Sequence, residues 1–491
     1  MSILVELKAL LRLRLVQLFA LALMLTGLAT LGIVSKSPVR DADVWWHLRV
    51  GDWMFQNHAF PHVGLFSRTA ATHPWVAYSW GYELLLSRAY AWFGLIGLAS
   101  FGILLIVAVA WVFFWMLYRL SGRFWLSWVL CTVGSLSFLF NLLPRPVFFS
   151  MMLFMATLTF ILEAHRSGSA RPLYGLPLIF VIWANLHIQF VYGLFVVGLF
   201  VGINLFLRAC KSASIWPRLL PCPSFRPRVL MAIFAGCILA CCVGPYSYHL
   251  FEVVFEYSKS QVPYLYSQEL QPLDFKHPSD YCLVLLAVAA FFAIGWRKKI
   301  DLFKLVLLTV ASALAFRTLR DAWFLAVCAG AFIADSLPVE CDRRNRMRLH
   351  ELASVGAVLA VILFLIAGNT DFNTRELDRA ISRDFPVDAV NFLRRNPVPG
   401  PLYNDFGWGG FLIWYMPEYP VAIDGRNDLY GDAVDFVTYN SMAGDYAADP
   451  YLKEAGLVLI PRETPLASKL RGDPQFRVVF EDPLSIVFAR N

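Results

Sequence analysis

Charge is what this chain has least of. Only 16% of its 491 residues are charged, while 58% are hydrophobic. A soluble globular chain carries about a quarter charged residues. The deficit excludes an ordinary soluble domain and points to a polytopic membrane protein. The net charge of +7 is small enough to reside in cytoplasmic loops, and gives no ground for a nucleic-acid partner. Cysteine is scarce where it would matter. The nine stand at 131, 210, 222, 237, 241, 242, 282, 328 and 341, with none in 36–92 and none after 341. Those two segments can form no disulfide, whatever compartment they meet. No C-x-x-C spacing occurs, which removes the usual thiolate metal site, and the adjacent Cys241 and Cys242 read as packing on an apolar helix. A GxxxxGK phosphate loop, an internal repeat and a low-complexity tract are also missing. No cleavable signal is expected, because the apolar run 15–34 is long enough to span at about 20 residues.

What the chain has in abundance is apolar runs. Eleven fall near 13–35, 93–118, 124–143, 146–164, 173–187, 190–207, 229–245, 281–296, 302–316, 322–336 and 352–368. The runs 173–187, 302–316 and 322–336 are short for a crossing. Every second loop is basic: Lys8, Arg12 and Arg14; Arg119 and Arg123; Arg166 and Arg171; Arg208, Lys211, Arg218, Arg226 and Arg228; Arg297, Lys298, Lys299 and Lys304; Arg343, Arg344, Arg346 and Arg348. That alternation follows the positive-inside rule with the N-terminus in the cytoplasm. An odd number of spans then puts the C-terminus outside.

The outer side collects 36–92, the turn at Pro144-Arg145-Pro146, the turn 185–189, the long loop 246–280, the turn 317–321 and everything after about 369. The first of these reads as two interfacial amphipathic helices, one over 43–56 with Trp46, Val50 and Met54 in line, one over 78–93 with Tyr82, Leu85 and Leu86 in line. From about 370 the spans stop and charge rises. A helix is predicted over 375–396, strands at 401–404, 419–424, 456–461, 477–481 and 485–489, and a helix over 408–416. This pattern predicts a small α/β domain, so the chain divides into a transmembrane domain, residues 1–369, and an extracytoplasmic domain, residues 370–491.

Most chemistry-bearing residues fall on that one side. Asp41-Ala42-Asp43-Val44-Trp45-Trp46-His47 follows the first span directly. Acid at a membrane edge is costly without a task or a partner. In a helix Asp43 and His47 share a face, whereas Asp41 and Asp43 diverge. Either a carboxylate deprotonates a hydroxyl acceptor or it holds the histidine that does; the bland alternative is an interfacial helix with solvated acids. Asp43 is preferred to Asp41 as the base, with His47 as its partner. Arg145, Arg317 and Arg320 sit at outer turns, where guanidinium forks suit phosphate, although boundary arginines also snorkel to headgroups. Asn185 and His187, at the end of a short span, could bond a sugar or a phosphate, or make an interhelical contact. Glu269 is the acid preferred in 246–280, where acids alternate with tyrosines in a way that suits carbohydrate. In the tail, Asp424 and Arg426 end a predicted strand, where α/β domains place ligand groups; they could instead pair to hold the turn. Gly407, Gly409 and Gly410 read as a structural turn.

With these residues in view, the chain resembles the GT-C type of integral-membrane glycosyltransferase, through its first external loop with Asp41 and Asp43, its two interfacial helices and its N-in spans. Nearer still, it resembles a set of bacterial multi-span proteins of little known function that share D-x-W-W-H-L (Asp43 to Leu48), W-A-N-x-H (Trp183 to His187) and I-D-G-R-x-D-x-Y (Ile423 to Tyr430). The GT-C resemblance implies a polyprenyl-phosphate sugar donor, inverting transfer at the outer face, Asp43 or Asp41 as base, and a glycan, lipid or protein acceptor. The W-W-D-Y-G signature of oligosaccharyltransferases is missing, and the Asp-Glu pair of protein O-mannosyltransferases is replaced by Asp-Ala-Asp. No cofactor is certain from the sequence, and a divalent metal at the acid pair stays open. The expectation is therefore a glycosyltransferase of the bacterial inner membrane, with membrane lipids around it. The rival is a non-enzymatic protein that binds or transports a lipid-linked glycan, against which the paucity of mid-span charge counts.

Overall fold

Helices occupy every one of the eleven apolar runs, in a computed structural model that describes residues 2–138, 143, 145–210, 225–296, 299–337, 349–369 and 372–491. Pro144, Lys211, Arg218, Cys222, Arg297, Lys298, Cys341, Arg343, Arg344, Arg346 and Arg348 lie outside the described residues. Among the described residues, five helices are long and apolar enough to cross a membrane: Leu13–Ser35, Trp80–Ser121, Val147–Ser167, Phe190–Ala209 and Pro278–Gly295. Phe124–Phe138, Arg171–Ala184 and Pro227–Cys241 are apolar but shorter. The seven cysteines among the described residues are free.

Contacts divide the chain into two compact units, each discontinuous in sequence. One comprises Met1–Ser35, Ile103–Gly244 and Gln268–Thr370; the other comprises Lys36–Gly102, Pro245–Ser267 and Asp371–Asn491. The first is a helical unit, with an apolar centre that includes Phe154, Trp183, Trp323 and Phe324. At one set of helix ends it holds an ion network: Asp335 takes both Arg166 and Lys304, and His165 lies 2.9 Å from Asp301. Carboxylates and cations at helix ends satisfy one another, which makes their burial tolerable.

The second unit joins the first external loop to the tail. Its sheet has the order β1-β2-β4-β3, with β1 (Leu402–Asn404) parallel to β2 (Leu457–Pro461), and with β4 (Ser485–Arg490) antiparallel to both β2 and β3 (Phe476–Glu481). Tyr403, Val458, Ile460, Ile486 and Phe488 face a core closed by Leu466, Ala467 and Leu470. Four of the five strands predicted for the tail are present. The fifth, 419–424, is not a strand. Its backbone is taken up elsewhere: Val421 exchanges hydrogen bonds with Phe66 and Arg68, and the Asn404 amide bonds Ala422 and Ile423. The helix expected over 375–396 is two, Thr374–Asp384 and Val387–Arg395. Phe385 between them is extended (φ −123°, ψ 151°), because the ring of Pro386 excludes the helical region for the residue before it. The helix expected over 78–93 starts at Trp80 and runs on to Ser121, turning at Gly94, whose φ of +59° suits glycine.

Candidate functional site

The helix Ala42–Asn57 begins on a polar cap. Asp41 is extended, and its Oδ1 accepts the Asp43 amide at 3.1 Å. This is an N-cap, the role for which short carboxylates are preferred. Asp41 is 2% exposed, so its carboxylate is committed to the helix start. Asp43 stands in the first turn, where the helix dipole favours negative charge. It is partly exposed, and its Oδ1 accepts the Trp46 indole N–H at 3.1 Å. His47 is buried, with its ring packed on Trp46 (3.5 Å between centroids) and its Nδ1 3.0 Å from Glu83 Oε1. The partner is brought close by a glycine: a Cβ at Gly51 would overlap the Glu83 carbonyl, so the two helices meet backbone to backbone there.

Sequence reasoning missed Glu83. Its signal was present, since a carboxylate between Tyr82 and Leu86 on the apolar side of an amphipathic helix needs a buried partner; Leu85, expected on that face, is 47% exposed. Among the described residues, neither the other Glu83 oxygen nor Nη1 of Arg426, both buried, has a hydrogen-bond partner, and Arg426 is the strongest charge acting on Glu83.

The tail supplies the rest of this cluster. Arg426 donates from Nε and Nη2 to the two Asp424 oxygens at 2.8 and 2.7 Å, and the Tyr430 hydroxyl also reaches Asp424. Both members of the pair have wholly buried side chains. Burial alone would lower the Arg426 pKa, yet the charge and hydrogen bonds of Asp424 hold it above its ordinary value. The guanidinium lies 4.8 Å over the Trp75 ring, and the Trp75 N–H reaches Asp428 at 3.0 Å. Burial pushes the Asp428 carboxyl up to about 6. Of the two readings open for Asp424 and Arg426, the pairing that holds the turn is the one found.

The helical unit gathers a second cluster from four turns. Arg145 donates to Glu269 at 3.0 Å, and both remain part-exposed. Burial would raise the Glu269 pKa, but the charges of Arg145 and Arg320 hold it below the usual range. His187 is buried; its Nδ1 shares a hydrogen bond of 2.8 Å with Ser150 Oγ, which also accepts the Trp183 indole N–H at 2.7 Å. Asn185 donates to the carbonyls of Val181 and Val243, both at 2.7 Å. The W-A-N-x-H pattern is thereby explained: Trp183 and His187 share one serine, and Asn185 ties two helices. Tyr192 and Thr318 both reach Asp321 at 2.6 Å, and the Leu319 amide bonds the Gln271 carbonyl at 2.9 Å. These contacts fix the turn that carries Arg320. Arg317 is exposed on the last turn of Leu302–Arg317.

The predicted residues thus fall into two clusters. Asp41, Asp43, His47, Asp424 and Arg426 belong to one unit; Arg145, Asn185, His187, Glu269, Arg317 and Arg320 belong to the other. Within the first, a partly exposed acid stands beside a sealed ionic core. Within the second, Arg145 and Arg320 both act on Glu269, a concentration of guanidinium charge suited to an anion. Among the described residues, no three His, Cys, Asp or Glu side chains are grouped to hold a metal ion.

No family model matches the sequence, and no curated protein matches it. Solved structures do. The oligosaccharyltransferase AglB of Archaeoglobus fulgidus, in complex with an inhibitory peptide and a dolichol-phosphate, is 11% identical with a TM-score of 0.54, covering 97% of this chain and 74% of its own. Its apo form gives 12% identity, the same score and the same coverage. ArnT from Cupriavidus metallidurans, bound to undecaprenyl phosphate, is 12% identical over 95% of this chain and 97% of its own, with a TM-score of 0.47, too low to add to the argument. At such identities the likeness is one of fold. Nearly the whole chain shares its fold with the Archaeoglobus fulgidus oligosaccharyltransferase.

Proposed function

We propose that this chain is a membrane glycosyltransferase that moves a sugar from a polyprenyl-phosphate carrier to an acceptor at the outer face of the bacterial inner membrane. The observation that carries the reading is the fold likeness, over 97% of the chain, to an oligosaccharyltransferase whose structure holds a dolichol-phosphate and a peptide. In this reading the eleven apolar helices cross with the N-terminus inside, and 370–491 lies outside.

Asp43 is the general base: its carboxylate is partly exposed, whereas Asp41 is consumed as a cap. It takes the proton of the acceptor hydroxyl, whose oxygen bonds the anomeric carbon as the bond from that carbon to the carrier phosphate breaks. One displacement inverts the anomeric centre. The departing phosphate keeps the electron pair and needs positive charge rather than a strong acid. Arg145, Arg317 and Arg320 are the groups offered for that charge, and His187 can donate a hydrogen bond. The acceptor is a glycan, a lipid or a protein.

The test is Asp43→Asn in the full chain, reconstituted in vesicles with radiolabelled undecaprenyl-phosphate sugars and an outer-membrane lipid and glycan extract as acceptor. Loss of a general base costs about 10²- to 10⁴-fold in transfer, with donor binding retained. Transfer at the wild-type rate would reject the base. Donor binding with no turnover by the wild-type chain in any acceptor extract would leave a carrier-binding protein and not a transferase.

A further inference from the structure

The conspicuous tail motif, Ile423 to Tyr430, does not offer its charged groups to a ligand, since Asp424 and Arg426 are wholly buried on one another. What the turn does present is the residue between them. A Cβ built on Gly425 would collide with Oδ1 of Asp43 and come within 3.5 Å of the Trp46 indole nitrogen. The backbone of the turn therefore lies flat against the carboxylate, on the same oxygen that accepts the Trp46 N–H. The requirement is for space and not for backbone freedom, since Gly425 is not among the residues of positive φ.

Two further glycines extend the same close fit. A Cβ on Gly410 would strike the Ala42 carbonyl and stand 3.1 Å from Trp46 Cδ1, and one on Gly409 would strike the Ile423 carbonyl and stand 2.6 Å from Asp424. The helix Phe406–Tyr415 is thus wedged against both the tail turn and the helix that carries Asp43. The turn is held from behind by the Asp424–Arg426 pair, the Tyr430 hydroxyl and the Asn404 amide on the Ile423 carbonyl at 2.8 Å.

We propose that the Asp424-Gly425-Arg426 turn is the positioning element of the Asp43 carboxylate. Gly425 forms a side-chain-free wall that fixes Oδ1 toward the Trp46 N–H, and the buried ion pair keeps the wall in place. Asp424, Gly425 and Arg426 act through Asp43 and touch no substrate. The activity arm of this inference rests on the transferase reading; the structural arm does not.

The experiment is a double-mutant cycle between Gly425→Ala and Asp43→Ala in the detergent-purified full chain, read by thermal unfolding, with transfer kinetics of Gly425→Ala alongside. In the wild-type background the added methyl should lower Tm by about 5 °C through overpacking. In the Asp43→Ala background the colliding oxygen is gone, and the shift should vanish, which is the signature of direct coupling. If Gly425→Ala fails to fold, rescue of folding by Asp43→Ala supports the proposal just as well. An equal loss in both backgrounds, or no folding in either, overturns it. Where Gly425→Ala folds, kcat for transfer should fall at least tenfold with KM for the carrier unchanged; a rise in KM alone also overturns it. Should coupling be present while Asp43→Asn transfers normally, the wall stands and the transferase reading falls.

Discussion

The two clusters of predicted residues treat charge in opposite ways. In the unit built from the first loop and the tail, the central ion pair, Asp424 with Arg426, is shut away completely. In the helical unit the corresponding pair, Arg145 with Glu269, leaves its side chains 28% and 40% exposed. A sealed pair cannot exchange its partner for a ligand; its energy goes into holding backbone in one place. An exposed pair is cheap to open, and a phosphate oxygen can replace the carboxylate on the guanidinium. In the proposed reading, burial separates the group that positions from the group that binds, although both are an arginine beside an acid.

The largest effect should come from splitting the sealed pair. Asp424→Ala leaves Arg426 charged, buried and unpaired, a change that costs about 3–5 kcal/mol. Arg145→Ala removes one partner of an exposed pair and should cost below about 1 kcal/mol. Thermal unfolding and limited proteolysis of the purified chain measure both. Equal costs would erase the distinction between the two pairs.

The reverse ranking is expected in kinetics. Arg145→Gln or Arg320→Gln removes a charged donor from an anion site, an interaction worth about 1.5–3 kcal/mol, so KM for an undecaprenyl-phosphate sugar should rise about tenfold or more. Stability should hardly change. If neither substitution moves KM, the four turns of the helical unit are not the phosphate site.

How much of this was legible in the chain differs by range. Local features were: the eleven apolar helices, the helix from Asp43 with its acid beside two tryptophans, and the strands of the sheet all follow from the spacing of apolar residues along one segment. The break at Pro386 was equally readable, since the residue before a proline avoids the helical region, but the helical periodicity on either side masked it. Pairings between distant segments were not legible. Nothing in the spacing of 419–424 says that Val421 bonds to Phe66 and Arg68 in place of a sheet neighbour. Nor does any local pattern give the union of 36–102 with 371–491 in one unit, or Arg145 with Glu269, 124 positions apart. The burial of Asp424 and Arg426 follows from such contacts, which is why the motif reads in sequence as a ligand-binding strand end. Gly51, Gly410 and Gly425 carried the one written trace of close approach, and a glycine does not name what approaches it.

The smallest expected effect separates the units by pH. Asp435 is 1% exposed, and among the described residues its Oδ1 has no hydrogen-bond partner. Burial, then the charges of Asp432 and Asp424, pushes its carboxyl up to about 7, and burial pushes Asp405 and Asp428 to about 6. A carboxyl whose folded pKa lies above its unfolded value of about 3.9 binds its proton more tightly in the fold. Its stabilising contribution is therefore complete below about pH 4, fades as the pH rises toward 7, and is gone above that. Glu269 has the opposite sign: with its folded pKa lowered, its contribution is present above about pH 4.5 and is lost only as the pH falls through the folded value. Between pH 8 and pH 5, then, the unit of the first loop and the tail should gain stability while the Arg145–Glu269 pair stays as it is. Asp435→Asn removes the costly charge and should raise Tm by a few degrees, roughly 1 kcal/mol, at pH 8 and by almost nothing at pH 4. A stabilisation independent of pH would mean that Asp435 is not carrying a buried charge at all.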